Sequence, residues 1–306
     1  MSGAGWVAGS VRARLLARHS LGTDGARDVA ASGSLAAACA RLSGSAYGRS
    51  AIHTGTAATV QHAIWATVVW DLRVLAGWLP GPGVGALRVF AGFFEVANIE
   101  EQLAFLEDGD RPDPFDLGGL GTVWTRAREA TSVGELRSCL HGSPWRDPGS
   151  DDRAQILAAL RLEWARRVGE IDGAAAWGAG AAALVVARSL TDGWAPIPDD
   201  VARRAPALGR RAASASTFAD FVAALPESAR WVFEGIDAPG DLWRAEAAWW
   251  RRLDVDGARR LRGERPGPDI VVGAVARRLA DAWRACAALD IASRGGSAQE
   301  LVDVVA

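Results

Sequence analysis

The chain has 306 residues, 49% of them hydrophobic, and a formal net charge of −2. That length suffices for two ordinary domains or an array of smaller helical bundles, and the near-balanced charge supplies no global field for nucleic acid or anionic lipid. All 34 basic residues are arginine, which excludes a P-loop lysine, a Schiff-base lysine and a lysine general base.

Alanine, leucine and arginine are abundant while isoleucine, threonine and tyrosine are scarce, so the summed propensity predicts an all-α protein. Cys39, Cys139 and Cys286 are far apart and odd in number, a pattern that fits small core residues in a reducing cytoplasm better than a disulfide framework. The first charges, Arg12, Arg14 and Arg18, follow the apolar opening instead of preceding it, the wrong order for a secretory signal. The longest uncharged stretches are interrupted by His53, Thr54, Gln61 and His62, or are too short to cross a bilayer, so no membrane-spanning segment is predicted.

In chain order, residues 1–50 read as a half repeat that ends in a short helix capped by Ser34. Residues 51–147 read as a first full repeat, with helices over 56–79 and 84–107 separated by Pro80-Gly81-Pro82-Gly83, then a Pro-, Gly- and Asp-rich connection over 108–121 and a short helix capped by Ser132. Residues 148–232 follow the same plan, with helices over 151–170 and 173–190, a loop over 191–209 and a short helix capped by Thr217. Residues 233–306 give helices over 239–262 and 269–293 around Pro266-Gly267-Pro268, and a last short helix capped by Ser297.

The recurrence is strongest between the first two capped motifs. Ser34-Leu35 leads to Leu42-Ser43-Gly44-Ser45-Ala46-Tyr47, and Ser132-Val133 leads without a gap to Leu140-His141-Gly142-Ser143-Pro144-Trp145. The third runs from Thr217 through Phe221 and Leu225 to Ser228, with Trp231 one residue late; the fourth carries Leu301 and Val305. A Ser or Thr at the helix start accepts from unpaired amides, and Glu135, Asp220 and Glu300 stand three residues on to return the bond. In the second long helix Val89, Phe93, Val96, Leu103 and Leu106 form one stripe beside Leu87, Phe90 and Phe94, so it is packed on more than one side. In the last long helix Val271, Val275, Leu279, Ala282, Cys286 and Leu289 line the core face, with Arg277, Asp281 and Arg284 turned away.

Catalytic and metal constellations do not emerge. There is no Cys-x-x-Cys and no His-Glu-x-x-His, and His19, His53, His62 and His141 are isolated. Asp151, Asp152 and Glu163 on one helix are the single acidic group suited to a metal-dependent isoprenoid enzyme, but a second acidic motif is missing and an acidic pair at a helix start complements the helix dipole. No catalytic residue, metal or cofactor is predicted. Arginine clusters near tryptophan suggest a protein interface instead. The candidates are Arg14, Arg18, Arg251, Arg252, Arg277, Arg284 and Trp249. Spacing puts Trp243, Ala247 and Trp250 in a buried stripe and leaves Trp249 as the exposed anchor.

Three stretches carry a family resemblance. They are Trp6-Val7-Ala8-Gly9-Ser10-Val11-Arg12-Ala13-Arg14, Phe94-Glu95-Val96-Ala97-Asn98-Ile99-Glu100-Glu101-Gln102-Leu103, and the closing segment from Pro268-Asp269-Ile270 through Asp281 and Arg284 to Glu300-Leu301. Together they resemble the C-subunit family of the V-type (A/V-type) ATPases of bacteria and archaea, the counterpart of the d-type component of the vacuolar ATPase. The chain departs from that pattern at Glu100 and Glu101, where basic residues are common, and at Trp283, where an asparagine is expected. The resemblance implies three similar helical bundles with a pseudo-threefold internal repeat, arranged like a funnel on the proteolipid ring. It also implies a non-catalytic adaptor that receives the central-stalk subunits and couples their rotation to proton or sodium transport. Such an adaptor is cytoplasmic, peripheral on the inner face of the cell membrane, and binds no nucleic acid. A stand-alone helical scaffold or regulatory protein with the same fold is the nearest alternative.

Overall fold

The computed structural model describes residues 3–49, 55–109, 113–191 and 203–305. His53, the boundary at residues 50 and 51, and parts of the two long connections (110–112 and 192–202) lie outside the described residues. Within them every regular element is helical and no strand occurs, as the composition predicts. No described helix is long and apolar enough to cross a membrane.

The helices are α1 Gly3–Arg18, α2 Gly22–Ala30, α3 Leu35–Ser43, α4 Ala57–Ala76, α5 Gly81–Asp108, α6 Trp124–Ala127, α7 Val133–His141, α8 Arg153–Gly169 and α9 Ala175–Thr191. They continue as α10 Gly209–Ala213, α11 Phe218–Ala224, α12 Glu227–Arg230, α13 Leu242–Leu261, α14 Pro268–Ser293 and α15 Ala298–Val305. The predicted long helices are all present. One break is displaced: Gly81, Pro82 and Gly83 form the first turn of α5, because a proline there forfeits only an amide that has no helical partner.

Three of the four predicted caps accept from an amide of the helix assigned to them, and Ser297 stands just before α15. Ser34 Oγ accepts from Ala37 N at 3.3 Å, Ser132 Oγ from Glu135 N at 3.2 Å, and Thr217 Oγ1 from Asp220 N at 3.2 Å. The returning bonds differ. Glu300 accepts from Ser297 N at 2.9 Å, but Glu135 accepts from the backbone N and hydroxyl of Thr131, one residue before the cap. Asp220 takes its bond from the Thr217 hydroxyl at 2.7 Å.

The chain divides into two compact units, one of Met1–Leu87 with Trp250–Ala306, the other of Arg88–Trp249. In the first, α14 is the central element, touched by α1, α2, α3, α4 and α15. Small residues allow this crowding: a Cβ at Gly273 would lie 2.7 Å from the Gly257 carbonyl oxygen, so the two backbones meet directly. Trp250 stacks on Trp283 with ring centroids 6.0 Å apart.

The second unit is built around the pair α8 and α9. A Cβ at Gly178 would come within 2.4 Å of the Ala165 carbonyl oxygen, another contact of backbone on backbone. A local lock occurs twice here. Trp164 donates to the Val89 carbonyl at 2.9 Å and covers Gly92; Trp249 donates to the Trp177 carbonyl at 2.8 Å and covers Gly180. In both cases the accepting carbonyl precedes the covered glycine by three residues, one turn along the helix. A side chain at either glycine would strike indole rings.

Candidate functional site

The most densely connected side chain of the first unit is Asp281, in the middle of α14. Its carboxylate accepts from Leu21 N at 2.9 Å, Gly22 N at 2.8 Å and the Tyr47 hydroxyl at 2.8 Å. An acid placed there satisfies the exposed amides at the start of α2 and sits at the positive end of that helix's dipole. Arg278 and Arg284 flank it with nitrogens at 3.5 and 3.8 Å. Arg278 also donates to Asp71 at 2.8 Å and lies over the Tyr47 ring at 4.3 Å, while Arg284 reaches Asp254 at 2.9 Å. Burial pushes the Tyr47 hydroxyl well above its ordinary pKa, against the pull of the neighbouring Arg278 charge. Burial likewise raises the Asp71 carboxyl.

The second unit repeats the device with a different acid. Glu95 of α5 is 1% exposed. It accepts from the backbone N of Thr122 at 2.6 Å, of Val123 at 2.8 Å and of Trp124 at 2.9 Å, and from the Trp145 indole at 2.9 Å. One carboxylate thus caps α6 and holds the aromatic residue that follows α7, as Asp281 caps α2 and holds the aromatic residue that follows α3. Along the same face of α5, Asn98 makes a reciprocal pair with the backbone of Phe115, at 2.9 and 2.8 Å, and Gln102 donates to the Ala130 carbonyl at 2.9 Å. Of these three polar residues, spaced by a helical turn, Asn98 binds the Pro-, Gly- and Asp-rich connection over 108–121 itself, while Glu95 and Gln102 hold residues that follow it. Leu117 and Leu120 of that connection are buried.

The predicted interface residues are largely occupied inside their units. Trp249 is 4% exposed and Trp243 is 44% exposed, the reverse of the predicted assignment. Trp249 is held by its bond to Trp177, whereas Trp243 lies in the first turn of α13 with Arg244 5.2 Å from its ring centroid. Arg277 and Arg284 both bond Asp254, at 2.9 Å each. Asp281 and Arg284 are buried, not turned to solvent, because neighbouring helices cover α14 on several sides; Arg277 is half-buried and Asp290 is exposed. Arg14 is half-buried and donates to the Gly263 carbonyl, and Arg252 pairs with Asp256 at 3.3 Å. Arg18 and Arg251 are exposed.

The acidic residues of the isoprenoid alternative have separate structural tasks. Asp152 caps α8 by accepting from Gln155 N at 2.9 Å, Asp151 pairs with Arg137 at 2.8 Å, and buried Glu163 pairs with Arg166 at 2.7 Å. No group of three His, Cys, Asp or Glu side chains suited to a metal ion occurs among the described residues. Cys39 and Cys286 are buried and Cys139 is half-buried, all as thiols. Burial pushes the Cys286 thiol far above its ordinary pKa, so it is no nucleophile.

What the polar clusters do is hold helices in fixed register: Asp281 accepts from two backbone amides and a tyrosine hydroxyl, and Glu95 from three backbone amides, a threonine hydroxyl and an indole. The sequence signal for Glu95, Asn98 and Gln102 is their polarity within an otherwise apolar helix. No protein-family model matches the chain, and no curated protein matches it either.

Proposed function

We propose that the chain is a non-catalytic helical adaptor of a rotary ATPase, seated on the proteolipid ring and receiving the central stalk. The observation that carries this reading is the recurrent anchor: a buried acid on a long helix holds both the start of one short helix and the aromatic residue after the next, at Asp281 with Tyr47 and at Glu95 with Trp145. A protein that transmits torque needs repeated, rigid helical units whose short elements cannot slide along the long ones. Buried charge-assisted bonds provide that resistance, since breaking one leaves an uncompensated ion. The anchor occurs once in each compact unit; the three-bundle, funnel-like organisation belongs to the proposal through the resemblance to the V-type ATPase family alone. In this reading the chain is peripheral to the inner face of the cell membrane and performs no chemistry; the other components of the complex move the protons or sodium ions.

The test is recovery of partners from native membranes with the full chain as bait, in conditions that preserve an assembled rotary ATPase. The adaptor reading expects stalk and proteolipid components in the eluate. Their absence, with the complex shown intact in the same membranes, overturns it and favours the stand-alone scaffold.

A further inference from the structure

The six exposed large hydrophobic residues among the described residues are Val7, Val11, Leu15, Trp78, Trp243 and Val255. Scattered exposure of this kind is ordinary on a protein surface. Three of the six are not scattered: Val7, Val11 and Leu15 follow one another at four-residue spacing on α1, about half exposed at 49%, 53% and 51%. Successive residues four apart form one ridge along a helix. The opposite face of α1, with Gly9, Ser10, Ala13 and Ala17, is buried. The ridge therefore runs along the outside of a helix whose other side is already packed.

At its C-terminal end the ridge runs into a cleft. Leu15 belongs to both, and Arg12, Leu16, His19, Trp70, Asp71, Val74 and Leu75 complete the lining of a space of about 210 Å³. That is room for one bulky apolar side chain. Two cations beside it, Arg12 and Arg18, are exposed without a carboxylate partner among the described residues; a third, Arg49, lies on the Trp70 ring at 3.3 Å and its charge also acts on Asp71. The one acid in the lining, Asp71, is already taken by Arg278. No acidic residue occurs anywhere on α1.

We propose that this face is a docking surface for an acidic amphipathic helix of a partner protein. One large apolar side chain of the partner fills the cleft, its apolar seam follows Val7, Val11 and Leu15, and its carboxylates meet Arg12, Arg18 and Arg49. Charge complementarity selects this occupant. A second copy of the chain pairing through the same face would set Arg12 and Arg18 against their own equivalents, which like charges oppose. A lipid surface would engage the flanking arginines but leave the cleft without a discrete occupant, and the net charge of −2 does not favour approach to anionic lipid. The inference does not depend on the rotary-ATPase reading, since the surface is defined by α1, α4 and the adjoining His19 and Arg49.

Binding of fluorescent 18-residue amphipathic helices to the full chain, followed by anisotropy, tests it. A peptide with a leucine seam and glutamate flanks is expected to bind at least about tenfold more tightly than its lysine-flanked counterpart, with affinity falling as salt rises. The pair Arg12→Gln and Arg18→Gln should weaken binding about tenfold, Arg12→Lys with Arg18→Lys should retain most of it, and Leu15→Ser should weaken the seam contact, all with unchanged melting temperature. Equal binding of the lysine peptide, indifference to these substitutions, or absence of peptide binding overturns the proposal. So does binding to anionic phospholipid vesicles in preference to the peptide.

Discussion

Tyr47 and Asp281 are joined by a 2.8 Å hydrogen bond across 234 positions of sequence. The same carboxylate holds the first amides of α2, so this one acid fixes both the beginning and the end of the α2–α3 segment against α14.

Asp281→Asn removes the negative charge between Arg278 and Arg284 while keeping the side chain's size. Leaving two buried guanidinium groups short of counter-charge should cost about 3–5 kcal/mol. Tyr47→Phe deletes a single donor to a carboxylate that retains its others, and should cost about 1–2 kcal/mol. Urea unfolding of the two variants should rank them in that order; a Tyr47→Phe loss as large as that of Asp281→Asn would show that the Tyr47 hydroxyl, not the charge between the two arginines, carries the anchor.

Glycine to alanine in a helix ordinarily stabilises by up to about 1 kcal/mol. Gly85 of α5 has nothing within 4 Å of a built Cβ, and Gly85→Ala should show that gain. At Gly178 the added carbon would lie 2.4 Å from the Ala165 oxygen and 2.5 Å from the Gly169 nitrogen. Backbone cannot yield as a side chain can, so Gly178→Ala should destabilise by about 1–3 kcal/mol or more. Thermal melts of the pair should move in opposite directions.

Ser132→Ala removes the acceptor for Glu135 N and should cost about 1 kcal/mol. Thr217→Ala should cost a similar amount. Partner recovery from membranes should be unaffected by either. Lost recovery at unchanged melting temperature would mean that these residues contact a partner instead of merely opening helices.

The Glu135 carboxyl is held below its ordinary pKa by the Thr131 backbone amide and, secondarily, the Thr131 hydroxyl. A depressed folded-state value means that the stabilising bond is fully present above the unfolded-state pKa and is lost as pH falls through the folded one. Carboxyl chemical shifts should locate that low midpoint, and Thr131→Val should raise it part of the way. A midpoint that does not respond to Thr131→Val would remove the hydroxyl from the account.

Local signals in the sequence are dependable where the physics is local. Ser34, Ser132 and Thr217 cap the helices predicted for them because capping needs only neighbouring amides. The partner of Glu135 lies one residue from its predicted place, since a carboxylate can reach either Ser132 or Thr131 and only geometry chooses. The apolar stripe of α14 points to Asp281 and Arg284 as outward-facing, yet both are buried. Which faces of a helix are covered depends on how many neighbours surround it, and the run of alanines and glycines around α14 is the clue the sequence offers. Trp243 and Trp249 exchange places for the same reason: periodicity defines a stripe but not how far along the helix its cover extends. Glu95 stands in one of the three family-like stretches, yet nothing local discloses that its five donors come from residues 122–124 and 145.

The interrupted course of the first unit sets an order for synthesis. Its opening helices are held by α14, near the other end of the chain, whereas the second unit is a continuous segment between them. On the ribosome the middle of the protein can therefore close on itself while α1, α2 and α3 wait, without the acid that fixes them, for Asp281 to emerge. A ribosome stalled just short of α14 should present a protease-resistant interior segment behind a digestible N-terminus, although that terminus was made first.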